Sequence, residues 1–597
     1  MHRLAERDTA LWTLWALAAA IVCGAILYGY YDHFWHSRDE GYFAHAAERL
    51  LQGEVLHRDI GTPHTGIIHF LHALSFQIFG VDLVSLRILP AISTWVQAGL
   101  IFYILRARGP IAAFAGALAF SAAAFPLFPS PTQHWACLFL VVATMAVVTE
   151  WPGLSWRKLL VLGVFCGLVF GLRQPTGVFL AMAVSTVCFL QKSETSPRPD
   201  REILSQFLAP VFLLLFAGLL ALYVRSAFDA VSMLLFAWAP LLLLVRVALS
   251  LRVVNRDALT IAACLLAGAM LPLGTLVMYH VFHGSLGDWA ANSIGSALFL
   301  SSLGYVGADS YASYLIGPVI AALQVQTPGA IAMSVLWVGL LLAAPLVGIV
   351  LHRRLYSGHL SSRDRGLLIL AVFYFLVAGH HPDRVYFAYI LAPVLLGVIL
   401  ITPMRVARRA GVLVGATALA MLFFQGAQPY ERGQLGDFIG LRVETQTRLN
   451  LARGGLHVTA AEARFHEDLV QFIQAHSDPD EPILALPGNA DLHFLADRPN
   501  PLPGVMPVYS VYDEELLRDT LQTLRETPPR VVIHVPYLPY NTVWTDRIMQ
   551  HVTCDYALAG DIGGFVLYIL DTDQPFHGRD QTCDGRTGSF SAAAASQ

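Results

Sequence analysis

The sequence predicts a polytopic α-helical membrane protein of about 13 transmembrane helices, followed by a small C-terminal α/β domain outside the membrane. Three observations predict it. Of 597 residues, 56% are hydrophobic and only 13% are charged, roughly half the ~25% charge of a soluble chain. The mean hydropathy is +0.57, too high for a disordered protein or a water-covered enzyme. The apolar residues fall in windows near the ~20 residues that a hydrocarbon layer about 30 Å thick demands, and they stop near residue 425. A net charge of −4 and a pI near 6.6 exclude nucleic acid as a partner.

The windows run 10–31, 83–105, 110–127, 133–149, 158–172, 175–191, 203–224, 230–250, 258–281, 329–351, 366–380, 385–402 and 410–425. Only Arg87 and Arg246 carry charge well inside one, each near an end, where an arginine is expected to snorkel. Arg3 and Arg7, Arg106 and Arg108, Arg157 and Lys158, and Lys192, Arg198 and Arg201 lie in alternate loops. That series continues with Arg252 and Arg256, then Arg353, Arg354, Arg363 and Arg365, then Arg405, Arg408 and Arg409. The opposite short loops hold only Arg173, Arg225 and Arg384. The positive-inside bias therefore makes the N-terminus cytoplasmic, and an odd number of spans makes the C-terminus external. The first apolar stretch is long and no small-residue cleavage site follows it, so it reads as an anchor and not a cleaved signal.

Residues 1–425 form the membrane domain, interrupted by an external loop at 32–82 and by a weakly apolar segment at 282–328 expected along the interface. Residues 426–572 form the soluble domain. Helical patterns at 462–476 and 513–525 alternate there with apolar strands at 482–486, 530–535 and 564–570, which predicts a mostly parallel sheet. The turn after the first strand has the single glycine Gly488, so a dinucleotide fingerprint is excluded. Residues 573–597 read as a disordered tail. Five cysteines sit in spans as packing residues; Cys554 and Cys583 are the two that an external compartment would allow to pair.

The chemistry concentrates in the loop at 32–82. Asp39 and Glu40 open an amphipathic helix that Gly53 stops, and capping of that helix is the competing reading for both acids. His57-Arg58-Asp59-Ile60-Gly61-Thr62-Pro63-His64-Thr65-Gly66 follows, then an apolar helix from about Ile67 to Phe79. Seven histidines lie in the loop, but their spacing matches no closed zinc motif, so no metal or other cofactor is expected.

An Asp-Glu pair opening a helix after the first span, then Leu51-Gln52-Gly53, then Arg58-Asp59-Ile60 and an apolar helix ending Phe79-Gly80, resembles the GT-C membrane glycosyltransferases. It is most similar to the branch of lipid A aminoarabinose transferases and protein O-mannosyltransferases. Leu172-Arg173-Gln174-Pro175 looks like a basic turn of that branch. His380-His381-Pro382-Asp383-Arg384-Val385-Tyr386 looks like its late span entry, and Ala496-Asp497-Arg498-Pro499 like part of its outside domain. The resemblance implies a GT-C-like fold in a bacterial inner membrane. It implies transfer of a sugar from a polyprenyl phosphate to an envelope acceptor (lipid, glycan or protein), with inversion. It places Asp39 as the catalytic base, the catalytic-site Glu40 and Asp59 orienting acceptor or sugar, Arg173 and Gln174 on phosphate, and His64, His381 and Arg384 on substrate. Some relatives use a divalent ion and others do not. A proline pair or Lys-Pro is common in relatives where this chain has Thr62-Pro63-His64, so His64 marks a departure in the donor contact. A transporter or flippase is the main alternative, and the lack of acids at mid-membrane depth counts against it. A catalytically inactive envelope scaffold is the third reading.

Overall fold

A computed structural model describes residues 2–195, 205–296, 311–313, 316, 320, 328–379, 384–425, 447–536, 541–552 and 555–570. Each of the thirteen apolar windows holds a helix. The helices are α1 (His2–Tyr28), α4 (Leu83–Leu105), α5 (Pro110–Ala122), α6 (Gln133–Glu150), α7 (Trp156–Leu172), α8 (Gln174–Thr195) and α9 (Leu208–Ala227). They continue with α10 (Ala230–Ser250), α11 (Asn255–Phe282), α12 (Pro328–Arg354), α13 (Ser362–Tyr374), α14 (Arg384–Ile401) and α15 (Ala407–Gln425). Between α1 and α4 lie two non-spanning helices, α2 (Ser37–Leu51) and α3 (Ile67–Phe79).

Among the described residues, eight helices are long and apolar enough to cross a membrane singly. Val385–Ile401 and Met404–Leu422 qualify only as a pair, bent by 114°, which makes nine. The expected number of about 13 is thus not reached by length alone. At a rise of about 1.5 Å per residue, the 17 residues of α7 and the 13 of α13 are shorter than the hydrocarbon layer.

The alternate basic loops gather at one face. Glu150 pairs with both Arg106 and Arg363 at 2.6 Å, Arg108 with Asp364 at 2.9 Å, and Lys192 with Asp257 at 3.2 Å. The loop after α1 and the distal domain share the opposite face. Between the two faces, α7 and α11 approach at their middles with almost no side chains between them. Gly163 and Gly167 of α7 meet the carbonyls of Leu265 and Ala269, and Gly268 of α11 meets that of Leu160. Small residues spaced by four let two backbones touch in lipid, where apolar side chains supply no net drive to associate.

Arg87 does not snorkel. It is fully buried and paired with the equally buried Glu40, with Nε–Oε2 at 2.8 Å and Nη2–Oε1 at 2.6 Å. A guanidinium without water keeps its charge only where donors and charge are satisfied, and the carbonyls of Tyr31, His33 and Phe34 take its remaining N–H groups.

The distal domain has a two-stranded piece, β1 (Thr447–Arg448) with β2 (His457–Val458), and a sheet of β3 (Ile483–Leu486), β4 (Val531–His534), β5 (Tyr556–Ile562) and β6 (Phe565–Leu570) in the order β3-β4-β6-β5. Only β3 and β4 are parallel; β6 runs antiparallel to both β4 and β5. The mostly parallel expectation is therefore corrected. Gly563 and Gly564 both have positive φ (60° and 87°), and two such residues close a tight hairpin that forces β5 and β6 antiparallel. Around the sheet lie α16 (Ala460–His476), α17 (Ala490–Ala496), α18 (Glu514–Glu526) and α19 (Val543–Val552).

α17 seats against α2. A Cβ added at Gly41 would lie 2.2 Å from Asp491 Cα, so only glycine admits this approach. Arg453 bridges Glu48 of α2 and Asp497, and Arg49 donates to the carbonyls of Leu502 and Pro503. The proposed Cys554–Cys583 pair and the tail at 573–597 lie outside the described residues.

Candidate active site

α2 begins at Ser37 after a chain segment that Arg87 holds by its carbonyls. Asp39 and Glu40 fall in its first turn and point to different surroundings. Glu40 turns inward to Arg87 and also accepts His36 N–H at 3.0 Å. It is an element of the frame. Asp39 stays 45% exposed, with Oδ2 3.5 Å from His36 Nδ1, which is the accessibility a proton acceptor needs.

One turn on, Tyr42 is buried, and its hydroxyl contacts Thr62 Oγ1 and lies 3.1 Å from His64 Nδ1. Burial pushes this phenol up and keeps it protonated. Thr62 Oγ1 is also 3.1 Å from His69 Nε2. The other ring nitrogen of His64, Nε2, lies 3.0 Å from Gln133 Nε2 at the start of α6. With Gln133 donating there, His64 is neutral and carries its proton on Nδ1, toward Tyr42. Burial and then the charge of Arg173 lower the His64 pKa to about 4.

Arg173 sits in the break between α7 and α8. Its own backbone is extended (φ −155°, ψ 114°), and a single helix cannot run through here because Pro175, second residue of α8, has no N–H for the Gly171 carbonyl and its ring would clash with that carbonyl. The side chain is buried and donates to Thr176 Oγ1 at 3.0 Å. Gln174 donates to the carbonyls of Pro63 and Ser293, each at 3.4 Å. Thr65 Oγ1 donates to the carbonyl of Gly171 at 2.7 Å, and Trp289 Nε1 to that of Thr65 at 3.0 Å. The loop after Asp59 is therefore laid over the end of α7.

Tyr389 of α14 closes the cluster. It accepts from Thr132 Oγ1 at 3.1 Å, and the His134 ring stacks on it with centroids 3.9 Å apart. The Phe128 ring links it to the start of α2, with centroids 6.1 Å from Tyr389 and 5.2 Å from His36, the partner of Asp39. A carboxylate at the rim and a buried guanidinium thus flank one cluster of neutral hydrogen-bonding groups.

The structure brings Gln174, next to Arg173 in the chain, to the Pro63 carbonyl beside His64, and sets Asp39 one turn before Tyr42 on α2. Asp59 has another part. Arg58 holds both its oxygens, at 2.9 and 2.8 Å, and Val55 N–H donates to Oδ2 at 2.8 Å. This ion pair keeps its carboxyl below the usual range and makes it the organiser of a turn. His381 and the side chain of Arg384 lie outside the described residues. Tyr42, Thr62, Gln133 and Tyr389 escape a reading of the sequence, because single neutral polar residues in apolar helices carry no spacing signal.

No protein-family model matches this chain, and no curated protein matches it. Two solved structures align with nearly all of it. One is ArnT from Cupriavidus metallidurans in the apo state, at 12% identity and TM-score 0.36, covering 94% of this chain and 98% of that one. The other is ArnT from the same organism bound to undecaprenyl phosphate, at 12% identity and TM-score 0.34, covering 93% and 97%. Alignments of this score carry no assignment of function.

Proposed function

We propose that this protein is an integral-membrane glycosyltransferase. It moves a sugar from a polyprenyl-phosphate donor to an envelope acceptor on the periplasmic side of a bacterial inner membrane. The observation that carries the reading is the convergence of Asp39, one turn before Tyr42, and Arg173, next to the Gln174 that holds the Pro63 carbonyl before His64, from 134 positions apart in the chain on the face opposite the basic loops.

The chemistry needs both charges. Asp39 takes the proton of the acceptor hydroxyl as its oxygen attacks the anomeric carbon. The bond from that carbon to the phosphate oxygen breaks with inversion, and the electron pair leaves on phosphate. Arg173 opposes the negative charge that grows there, in a site shielded from water where a fixed cation counts most. Its guanidinium also meets two phosphate oxygens at once. Gln174 and neutral His64 hold donor oxygens without adding charge. A donor with a lipid tail reaches this face by lateral diffusion, which explains a site built at the end of α7.

The test is sugar transfer by the purified protein in lipid nanodiscs, from polyprenyl-phosphate sugars to envelope extracts, with product anomers assigned by NMR. Transfer that proceeds equally well from a soluble nucleotide sugar rejects the lipid donor. A retained anomeric configuration rejects the single displacement.

A further inference from the structure

α1 ends at Tyr28, and residues 29–36 carry the chain across to α2. That crossover is fastened to the distal domain by its backbone. His457 N–H donates to the Asp32 carbonyl at 2.8 Å, and Phe34 N–H donates to the His457 carbonyl at 2.9 Å. The two bonds set His33 beside His457 in parallel register. Phe34 adopts φ +62°, a left-handed conformation unusual for an aromatic residue, and this kink turns the chain away directly after His33.

The side chains follow the backbone. The imidazoles of His33 and His457 stack with centroids 5.0 Å apart and planes 18° from parallel. Asp32 Oδ2 is 3.1 Å from His457 Nδ1, and Oδ1 is 3.8 Å from His33 Nε2. One donor atom from each residue lies within 4.8 Å of the others, and all three residues are half-buried. Ligands about 2.0–2.2 Å from a tetrahedral zinc ion stand roughly 3.2–3.6 Å from one another. Because an ion lies in the plane of each imidazole that holds it, binding turns the two stacked rings out of their parallel arrangement until both nitrogens and the Asp32 carboxylate converge. Two imidazole nitrogens and one carboxylate oxygen are the donor set of a divalent transition cation that keeps one position for water.

We propose that Asp32, His33 and His457 form a zinc-class cation site that clamps the distal domain to the end of the first membrane helix. The frame behind the site makes the clamp consequential. Arg87 Nη1 donates to the His33 carbonyl at 2.7 Å, and the same guanidinium holds Glu40 at the start of α2. An ion in the triad therefore fixes the register of α2, and of Asp39 on it, relative to both α1 and the domain. The site stands independently of the glycosyl-transfer reading, because it rests on ligand geometry alone.

The experiment uses full-length protein carrying a tag without histidine, stripped with chelator in nanodiscs and titrated with zinc chloride. Wild type binds one equivalent that survives gel filtration. Asp32→Asn and His457→Gln each weaken binding by more than ~100-fold, beyond the usual cost of a lost outer-shell partner. Cobalt(II) added to wild type gives tetrahedral visible bands, which remain measurable even where a variant fails to fold. The proposal is overturned if stripped wild type takes up no zinc that survives gel filtration after titration, if both variants hold zinc as tightly as wild type does, or if cobalt gives only the weak spectrum of an octahedral aquo ion.

Discussion

Asp39 and Glu40 are adjacent in sequence and opposite in circumstance. Glu40 and Arg87 are both fully buried, and breaking such a pair costs about 3–5 kcal/mol because the remaining charge is stranded. Glu40→Ala should therefore lower folded yield and melting temperature sharply, as read by size-exclusion profile and thermal unfolding. Asp39→Asn, at a partly exposed position, should melt like wild type and lose sugar transfer by about 100-fold or more. Turnover of that variant at the wild-type rate would remove Asp39 from the role of base. Arg173→Lys should keep part of the donor use that Arg173→Ala loses, since a point charge retains attraction but not the bidentate fork; the readout is the KM for the lipid donor. The buried histidines set an acid limit. His57 is lowered to about 3, and His64 and His466 to about 4, mainly by burial, from an unfolded value near 6.5. As pH falls through 6.5 the unfolded chain takes up protons that the folded chain refuses. Their stabilising effect is thus complete above 6.5 and is lost progressively down to about 3. Melting temperature should stay level from pH 8 to about 6.5 and fall from there to 4.5, and substitution of these histidines by glutamine should flatten that fall.

The helices were legible because lipid makes apolar length a direct signal, and the break at Arg173 was legible as the gap between the windows 158–172 and 175–191. How elements touch was less so. The Gly163, Gly167 and Gly268 contacts place α7 against α11, and α7 ends at Leu172, directly before Arg173. Gly167→Leu should push these backbones apart, reducing nanodisc incorporation and transfer together. Gly41→Ala should cost about 1–3 kcal/mol by overpacking α2 against Asp491. Limited proteolysis between the bundle and the distal domain would detect the loosened contact. The hairpin of β5 and β6 was signalled by Gly563-Gly564, but the strand before it alternates weakly and reads as coil.

At the scale of the whole molecule, the distal domain acts as a fixed partner of the first loop. Arg453 joins Glu48 to Asp497, the carbonyl of Pro503 takes Gly61 N–H at 2.9 Å, and His457 meets Asp32. The sequence by itself determined the membrane class, the positions of the thirteen helical windows, the alternation of basic loops and the stretch in which polar chemistry concentrates. Those features are local: each depends on apolar length or on charge along a short run of chain. The tertiary structure decided which of two adjacent acids is buried, that Asp59 organises a turn, and that Tyr42, His64 and Gln133 meet. It also decided that Asp32 and His457, 425 positions apart, meet at all. Such pairings depend on long-range packing, and the free energy of a buried contact leaves no periodic trace in either segment that makes it.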